Sequence, residues 1–153
     1  TFETRTAGVR IQSPQLDIKT VAAGGGSRLF FKNGLFRVGP QSAGAHPGPV
    51  CYRKNGYLTI TDANLVLGRL QPKYFPKIFG PDKDLPLDLA AARSAMVELT
   101  DIINEYYLSI GRPALTLEQT AQGFLDVANA VMVRPIREVS VMRGFDTKDH
   151  ILA

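Results

Sequence analysis

The dipeptide Asn33-Gly34 constrains this chain more than any other feature. It separates Arg28-Leu29-Phe30-Phe31-Lys32 from Leu35-Phe36-Arg37-Val38. Asn and Gly both tolerate positive φ, so a two-residue link of this kind turns the backbone with the twist of its flanking strands, and a hairpin is predicted here. The rest of the amino-terminal third also reads as strand. Phe2 to Thr6 and Val9 to Ile11 are rich in β-branched and aromatic residues, Ser13-Pro14 breaks the run, and Leu16-Asp17-Ile18-Lys19-Thr20-Val21 alternates apolar and polar as a half-buried strand does.

Regularity stops after Val38. Gly39-Pro40, Ala43-Gly44-Ala45-His46-Pro47-Gly48-Pro49 and Asn55-Gly56 crowd residues 39–56 with breakers. Proline fixes φ and lacks a donor, so this stretch is no interior strand or helix. An irregular segment this long is functional or disordered. Cys51-Tyr52 and the strand-like Tyr57-Leu58-Thr59-Ile60 argue that it is pinned. Thr61 to Leu70 reads as a short helix with Thr61 or Asp62 as N-cap, where a side-chain oxygen takes an orphan N–H and a carboxylate suits the helix dipole. The proline- and aromatic-rich residues 71–86 read as a tethered connection.

The remainder is helical. From Pro86 to Ile110, the residues Ala92, Met96, Leu99, Ile103, Tyr106 and Ile110 recur at helical spacing and define one apolar face. Gly111-Arg112-Pro113 ends that helix, and Thr116-Leu117-Glu118-Gln119 has the form of a capping box. A second helix follows to about Met142 and ends at Gly144, with Leu117, Ala121, Phe124, Ala128, Val131 and Val139 in its stripe and Pro135 set to kink or divide it. The chain thus divides into residues 1–60 (strands and a Gly/Pro-rich loop), 61–85 (a short helix and a connection) and 86–144 (two long helices). The predicted class is α/β, in its α+β form: antiparallel strands and a hairpin followed by an antiparallel helix pair lying on the sheet.

At 153 residues one domain with a real core is expected. The net charge of +4 is spread along the chain, which sets solubility and gives no nucleic-acid footprint. The single cysteine, Cys51, excludes an internal disulfide and suits a reducing compartment. No apolar run approaches the ~20 residues of a membrane span, and no signal peptide is visible. Neither a nucleic-acid nor a membrane partner is therefore expected. The chain opens at Thr1, without methionine and within a predicted strand, and so reads as a piece of something longer.

Few side chains here suggest chemistry. Val21-Ala22-Ala23-Gly24-Gly25-Gly26-Ser27 brings three glycines and a hydroxyl after an apolar run. Glycine lets backbone approach a ligand, and successive N–H groups can cradle an anion. The functional reading of Gly24, Gly25, Gly26 and Ser27 is a loop around phosphate or carboxylate; the alternative is a flexible turn between strands. No lysine follows at P-loop spacing. Asp62 and Asn64 either serve the helix end or line the mouth of the glycine loop. Cys51 reads as core filler rather than nucleophile. His46 and His150 sit in no spaced ligand motif, so no metal site is expected. Arg134 and Arg137 flank Pro135, as solvated groups or as a phosphate clamp. From the residues alone no catalytic set can be named.

Several motifs, in order along nearly the whole chain, resemble the hydantoinase A/oxoprolinase family. They are Leu16-Asp17-Ile18 with Val21 to Ser27, Val38-Gly39-Pro40-Gln41-Ser42-Ala43-Gly44-Ala45-His46-Pro47-Gly48-Pro49-Val50-Cys51-Tyr52, and Thr61-Asp62-Ala63-Asn64-Leu65-Val66-Leu67-Gly68-Arg69-Leu70. Phe75-Pro76-Lys77-Ile78-Phe79-Gly80-Pro81 and Arg134-Pro135-Ile136-Arg137 look closest to the ATP-hydrolysing 5-oxoprolinase branch. The resemblance implies part of an actin-like ATPase (ribonuclease H-like) lobe. It implies opening of 5-oxo-L-proline to L-glutamate with ATP cleavage in glutathione metabolism, and a cytoplasmic enzyme. It further implies Mg2+ and K+, and a parent chain with a hydantoinase B-like region and a homo-oligomeric assembly. Phosphorylation of the lactam oxygen would make that oxygen a leaving group.

Family phosphate and nucleotide motifs would lie outside these residues, so residues 1–153 alone should hydrolyse no ATP. Gln41 stands where the family usually has Glu. Within the resemblance, Gly24, Gly25, Gly26 and Ser27 would form an ATP phosphate loop, and Asp62 and Asn64 would line the cleft for a cyclic amide. A hydantoinase, or an acetone or acetophenone carboxylase subunit, is the alternative within the family. A non-catalytic helical interaction module is the alternative outside it.

Overall fold

The computed structural model describes residues 4–6, 8–13, 18 and 20–150. Contacts divide the chain into two compact units, residues 22–131 and residues 1–21 with 132–153.

In the larger unit the hairpin forms where predicted. β3 (Ser27–Lys32) pairs antiparallel with β4 (Leu35–Ser42) in the register Lys32↔Leu35, Phe31↔Phe36, Phe30↔Arg37 and Leu29↔Val38. Asn33 and Gly34 take φ of 53° and 75°, as the two-residue turn requires. β4 runs further than its sequence suggests, past the Gly39-Pro40 pair to Ser42, with an irregularity opposite Ser27 and Leu29. A strand whose outer edge is unpaired can hold proline at such a break.

Thr59 bridges to Arg28, and α1 begins at once, spanning Ile60–Val66 with Thr59 as N-cap. The helix therefore starts earlier than Thr61. Phe79 and Leu85 bridge within the proline-rich connection, and the Tyr52 and Phe79 rings lie 4.7 Å apart, so that connection is indeed tethered.

α2 spans Leu89–Ser109 and α3 spans Leu117–Val139. The reciprocal Thr116–Gln119 capping box is present at 2.8 and 3.1 Å. α2 buries Ala92, Met96, Thr100, Ile103 and Tyr107. Its face turns by one position near the end, so Tyr107 rather than Tyr106 enters the core, and Ile110 stays exposed. On the hairpin side, the Phe31 ring lies edge-on to both Tyr106 and Tyr107, and Phe36 meets Phe124 of α3 at 4.6 Å. Thr120, Ala121, Phe124, Leu125 and Ala128 form the buried face of α3, while Val131 is exposed. The helix continues through Pro135 to Val139, short of Met142, and a 3-10 turn Val141–Arg143 leads to Gly144.

In the smaller unit β1 (Thr4–Thr6) and β2 (Val9–Ile11) pair antiparallel around Gly8, at φ 84°. Of the strand predicted over Leu16 to Val21, Leu16, Asp17 and Lys19 lie outside the described residues, as does Phe2 of the first strand. Ile18, Thr20 and Val21 have no strand pairing, and Ile18 is 77% exposed. No described helix is long and apolar enough to cross a membrane.

Candidate functional site

The glycine turn enters β3. The Ser27 N–H donates to the Gly24 carbonyl at 3.0 Å, and the Gly24 N–H donates to Ser27 Oγ at 3.1 Å, closing a tight turn. The Ala43 N–H donates to the Gly26 carbonyl at 2.8 Å. None of Gly24, Gly25 and Gly26 takes the left-handed backbone. Glycine is needed here for close approach: a Cβ on Gly25 would lie 2.7 Å from Thr61 Oγ1, and one on Gly26 would lie 3.0 Å from Ser42 Oγ.

A hollow of about 210 Å3 opens beside the turn, lined by Ala22, Ala23, Gly24, Gly26, Ser27, Pro40 and Ser42. No charged side chain lines it. The N–H groups of Gly25 and Gly26 find no hydrogen-bond partner among the described residues. Ser27 Oγ and Ser42 Oγ each accept a backbone N–H, from Gly24 and Gly44, leaving each O–H proton to donate. The hollow therefore offers donors and no formal charge, a surface suited to an anion whose charge is balanced from elsewhere.

Asp62 is the third residue of α1 rather than its cap, and its side chain is fully buried. Its Oδ1 accepts the Cys51 N–H at 2.9 Å. Its Oδ2 accepts the N–H groups of Val50 and Thr59 at 3.2 and 2.9 Å, and the Thr59 hydroxyl at 2.9 Å. One carboxylate thus ties the proline-rich loop to the start of α1. Asn64 is equally structural: its Nδ2 donates to the Ile60 carbonyl at 3.0 Å, and its own carbonyl receives Arg69 and Leu70 at the helix end. Neither residue lines the hollow.

The 3-10 turn Val50–Tyr52 that Asp62 holds is latched again at its far side. Arg53 Nη1 meets Asp88 Oδ2 at 2.6 Å, and Arg53 Nε donates to the Pro86 carbonyl at 2.9 Å. The other oxygen of Asp88 caps α2 through the Ala91 N–H, and the Asp88 N–H donates to the Cys51 carbonyl at 3.0 Å. Cys51 itself is 0% exposed. Burial first, then the Asp62 charge, pushes its thiol far above the ordinary range, which makes it a packing group and no nucleophile. Burial, followed by Cys51 and Asp62, also raises the Tyr52 hydroxyl.

The other candidates remain scattered. His46 is exposed in its loop, and His150 Nδ1 lies 2.8 Å from the Asp146 carbonyl. Arg134 pairs with Glu138 at 3.3 Å on an exposed helix face. Among the described residues no group of His, Cys, Asp or Glu is arranged to hold a metal ion. Sequence reasoning missed Thr59 as the cap and Asp88 as the latch, and gave Thr61 a capping role where its hydroxyl in fact donates to the Gly25 carbonyl. The spacing Thr59-Ile60-Thr61-Asp62 is itself a capping-box pattern and could have revealed the true helix start.

Comparison with known proteins adds the following. A family model described as Hydantoinase/oxoprolinase matches residues 1–153. The chain is 62% identical over 152 residues to a 5-oxoprolinase of Dictyostelium discoideum, covering 99% of this chain and 12% of that protein. It is 58% identical over 151 residues to a 5-oxoprolinase of Saccharomyces cerevisiae, covering 99% of this chain and 11% of that one. The chain therefore spans about a tenth of the length of these curated relatives. Among solved structures it resembles a nucleotide-free acetone carboxylase described in connection with ATP-dependent acetone carboxylation, at a TM-score of 0.66 and 24% identity, covering 92% of this chain and 18% of the other. That likeness shows the fold, a mixed α/β arrangement with an antiparallel strand pair and helices.

Proposed function

The chain belongs to the hydantoinase/oxoprolinase family, and from that premise we propose that its parent protein is an ATP-dependent 5-oxoprolinase opening 5-oxo-L-proline to L-glutamate. One observation carries this reading: the chain is 62% identical to a 5-oxoprolinase over 99% of its length. The whole reading includes an actin-like lobe, Mg2+ and K+, a hydantoinase B-like region elsewhere in the parent, a homo-oligomer and a cytoplasmic location.

Within it, residues 24–27 are the phosphate turn. Support comes from the partnerless N–H of Gly26, a residue that lines the hollow without charged side chains, and from the partnerless N–H of Gly25 next to it in the turn; both fit a phosphate as backbone donors. ATP, when bound, supplies the phosphoryl group that makes the poorly electrophilic lactam reactive. The contribution of this chain is to position and to donate. The turn presents N–H groups whose directions are set in advance, so little reorganisation is needed as charge builds on phosphate. Asp62 acts at a distance from the chemistry, by fixing the loop that follows β4.

The test is an assay of the full-length parent on 5-oxo-L-proline, hydantoins and acetone, each with ATP. Glutamate formed in step with ATP cleavage is the expected result. ATP-dependent turnover of a hydantoin or of acetone, without turnover of 5-oxoproline, overturns the reading in favour of another branch of the family. Residues 1–153 alone are expected to cleave no ATP.

A further inference from the structure

Thr61 N–H and Thr61 Oγ1 both donate to the Gly25 carbonyl, at 2.9 and 3.0 Å. A peptide unit is planar, so the carbonyl of Gly25 and the N–H of Gly26 belong to one rigid plate and point opposite ways. Two donors on the carbonyl therefore aim the Gly26 N–H. The fit is close: only glycine at position 25 leaves room for the Thr61 hydroxyl. The neighbouring Asp62 serves a different segment, the Val50–Cys51 turn, so α1 opens with one residue for each loop.

We infer that Thr61 is the positioning residue of the phosphate turn, aiming the Gly26 amide at the bound nucleotide through the Gly25 carbonyl. The inference rests on the phosphate reading of residues 24–27. Thr61 touches no reacting atom; it acts through the peptide it holds. Its hydroxyl is the separable part, because a side chain of the same shape without oxygen keeps the backbone bond and the packing.

The experiment uses the full-length parent with MgATP and 5-oxo-L-proline. Thr61→Val removes the hydroxyl and keeps the volume, and Thr61→Ser restores the hydroxyl. Gly24→Asp places a negative charge at the turn, at a position where a Cβ meets nothing within 4 Å. Thr61→Val is expected to raise KM for ATP by about fivefold, the size of one oriented hydrogen bond. KM for 5-oxoproline and the urea midpoint should stay unchanged, and Thr61→Ser should recover the wild-type KM for ATP. Gly24→Asp should raise KM for ATP by about tenfold or more through charge repulsion. A normal KM for ATP in Thr61→Val beside a raised one in Gly24→Asp defeats the inference and leaves the phosphate turn standing. Normal values in both variants defeat the two together. An equal rise in both KM values, or a lowered midpoint without the ATP-specific rise, makes Thr61 a structural residue and overturns the inference.

Discussion

Two glycine-rich segments of this chain look alike on paper and behave as opposites. The loop from Ala43 to Tyr57 is held at its centre by side chains from outside it. Asp62 receives two of its N–H groups, Asp88 and Arg53 latch its 3-10 turn, and the N–H groups of Val50 and Tyr57 pair with the carbonyls of Tyr57 and Gly48. The turn from Gly24 to Ser27 is anchored by its carbonyls, through Thr61 and Ala43, while two N–H groups stay without partners. Glycine serves fit in both places. The difference lies in what holds each one: a buried carboxylate and an ion-pair latch grip the N–H side of the loop, whereas only the carbonyls of the turn are gripped. Both anchors come from neighbouring residues at the start of α1.

The comparison can be broken most forcefully at Asp62. Asp62→Ala leaves three buried donors, the N–H groups of Cys51 and Thr59 and the Thr59 hydroxyl, without an acceptor, and should cost about 3–5 kcal/mol of stability by analogy with broken buried networks. Urea unfolding measures this, and a loss below about 1 kcal/mol would mean that the loop does not depend on its carboxylate.

A paired glycine test comes next. A Cβ on Gly56 would overlap the Gly48 carbonyl, so Gly56→Ala should cost about 2–4 kcal/mol. Gly24→Ala meets open space with no left-handed backbone to strain, and should change stability by about 0.5 kcal/mol or less. Equal costs at the two positions would erase the distinction drawn above.

Arg53→Ala removes a half-buried ion pair and a bond to Pro86, for an expected loss of about 1–2 kcal/mol. A double cycle with Asp88→Ala would show whether the two are coupled.

The last effect is confined to alkaline pH. The Cys51 thiol keeps its proton in the folded chain, whereas the unfolded thiol ionises near its ordinary 9.0. Folded affinity for the proton exceeds unfolded affinity, so this contribution is intact below that pH and is lost as pH rises above it. One such group adds a slope of about 1.4 kcal/mol per pH unit. Cys51→Ser should flatten stability above pH 9.0; an unchanged slope would refute the assignment.

What could be read beforehand was whatever depends on near neighbours. Asn33-Gly34 and Thr116 to Gln119 carry their geometry within a few residues, and both formed as expected. Tyr106 and Tyr107 could not be ranked by helical spacing, because they stand three and four residues after Ile103 and either continues the apolar face. The start of α1 was displaced because Thr59-Ile60 looks like strand and does bridge to Arg28 before turning. The part played by Asp62 was beyond reach for a different reason. Its partners Val50 and Cys51 lie 12 and 11 residues away, and nothing local says which amides a carboxylate will serve. The hollow beside residues 24–27 needed the continuation of β4 to Ser42, which Pro40 argued against.

The tip of the hairpin has a practical side. A Cβ on Gly34 would lie 2.5 Å from the Tyr106 hydroxyl, so the turn is roofed by α2. Anyone splicing a tag or a reporter into this protein would reach first for an Asn-Gly bend, and here the graft would have to prise Tyr106 away and disturb Phe31 beneath it. The Asp82-Lys83-Asp84 bend, exposed at all three residues, is the better seam for such cargo.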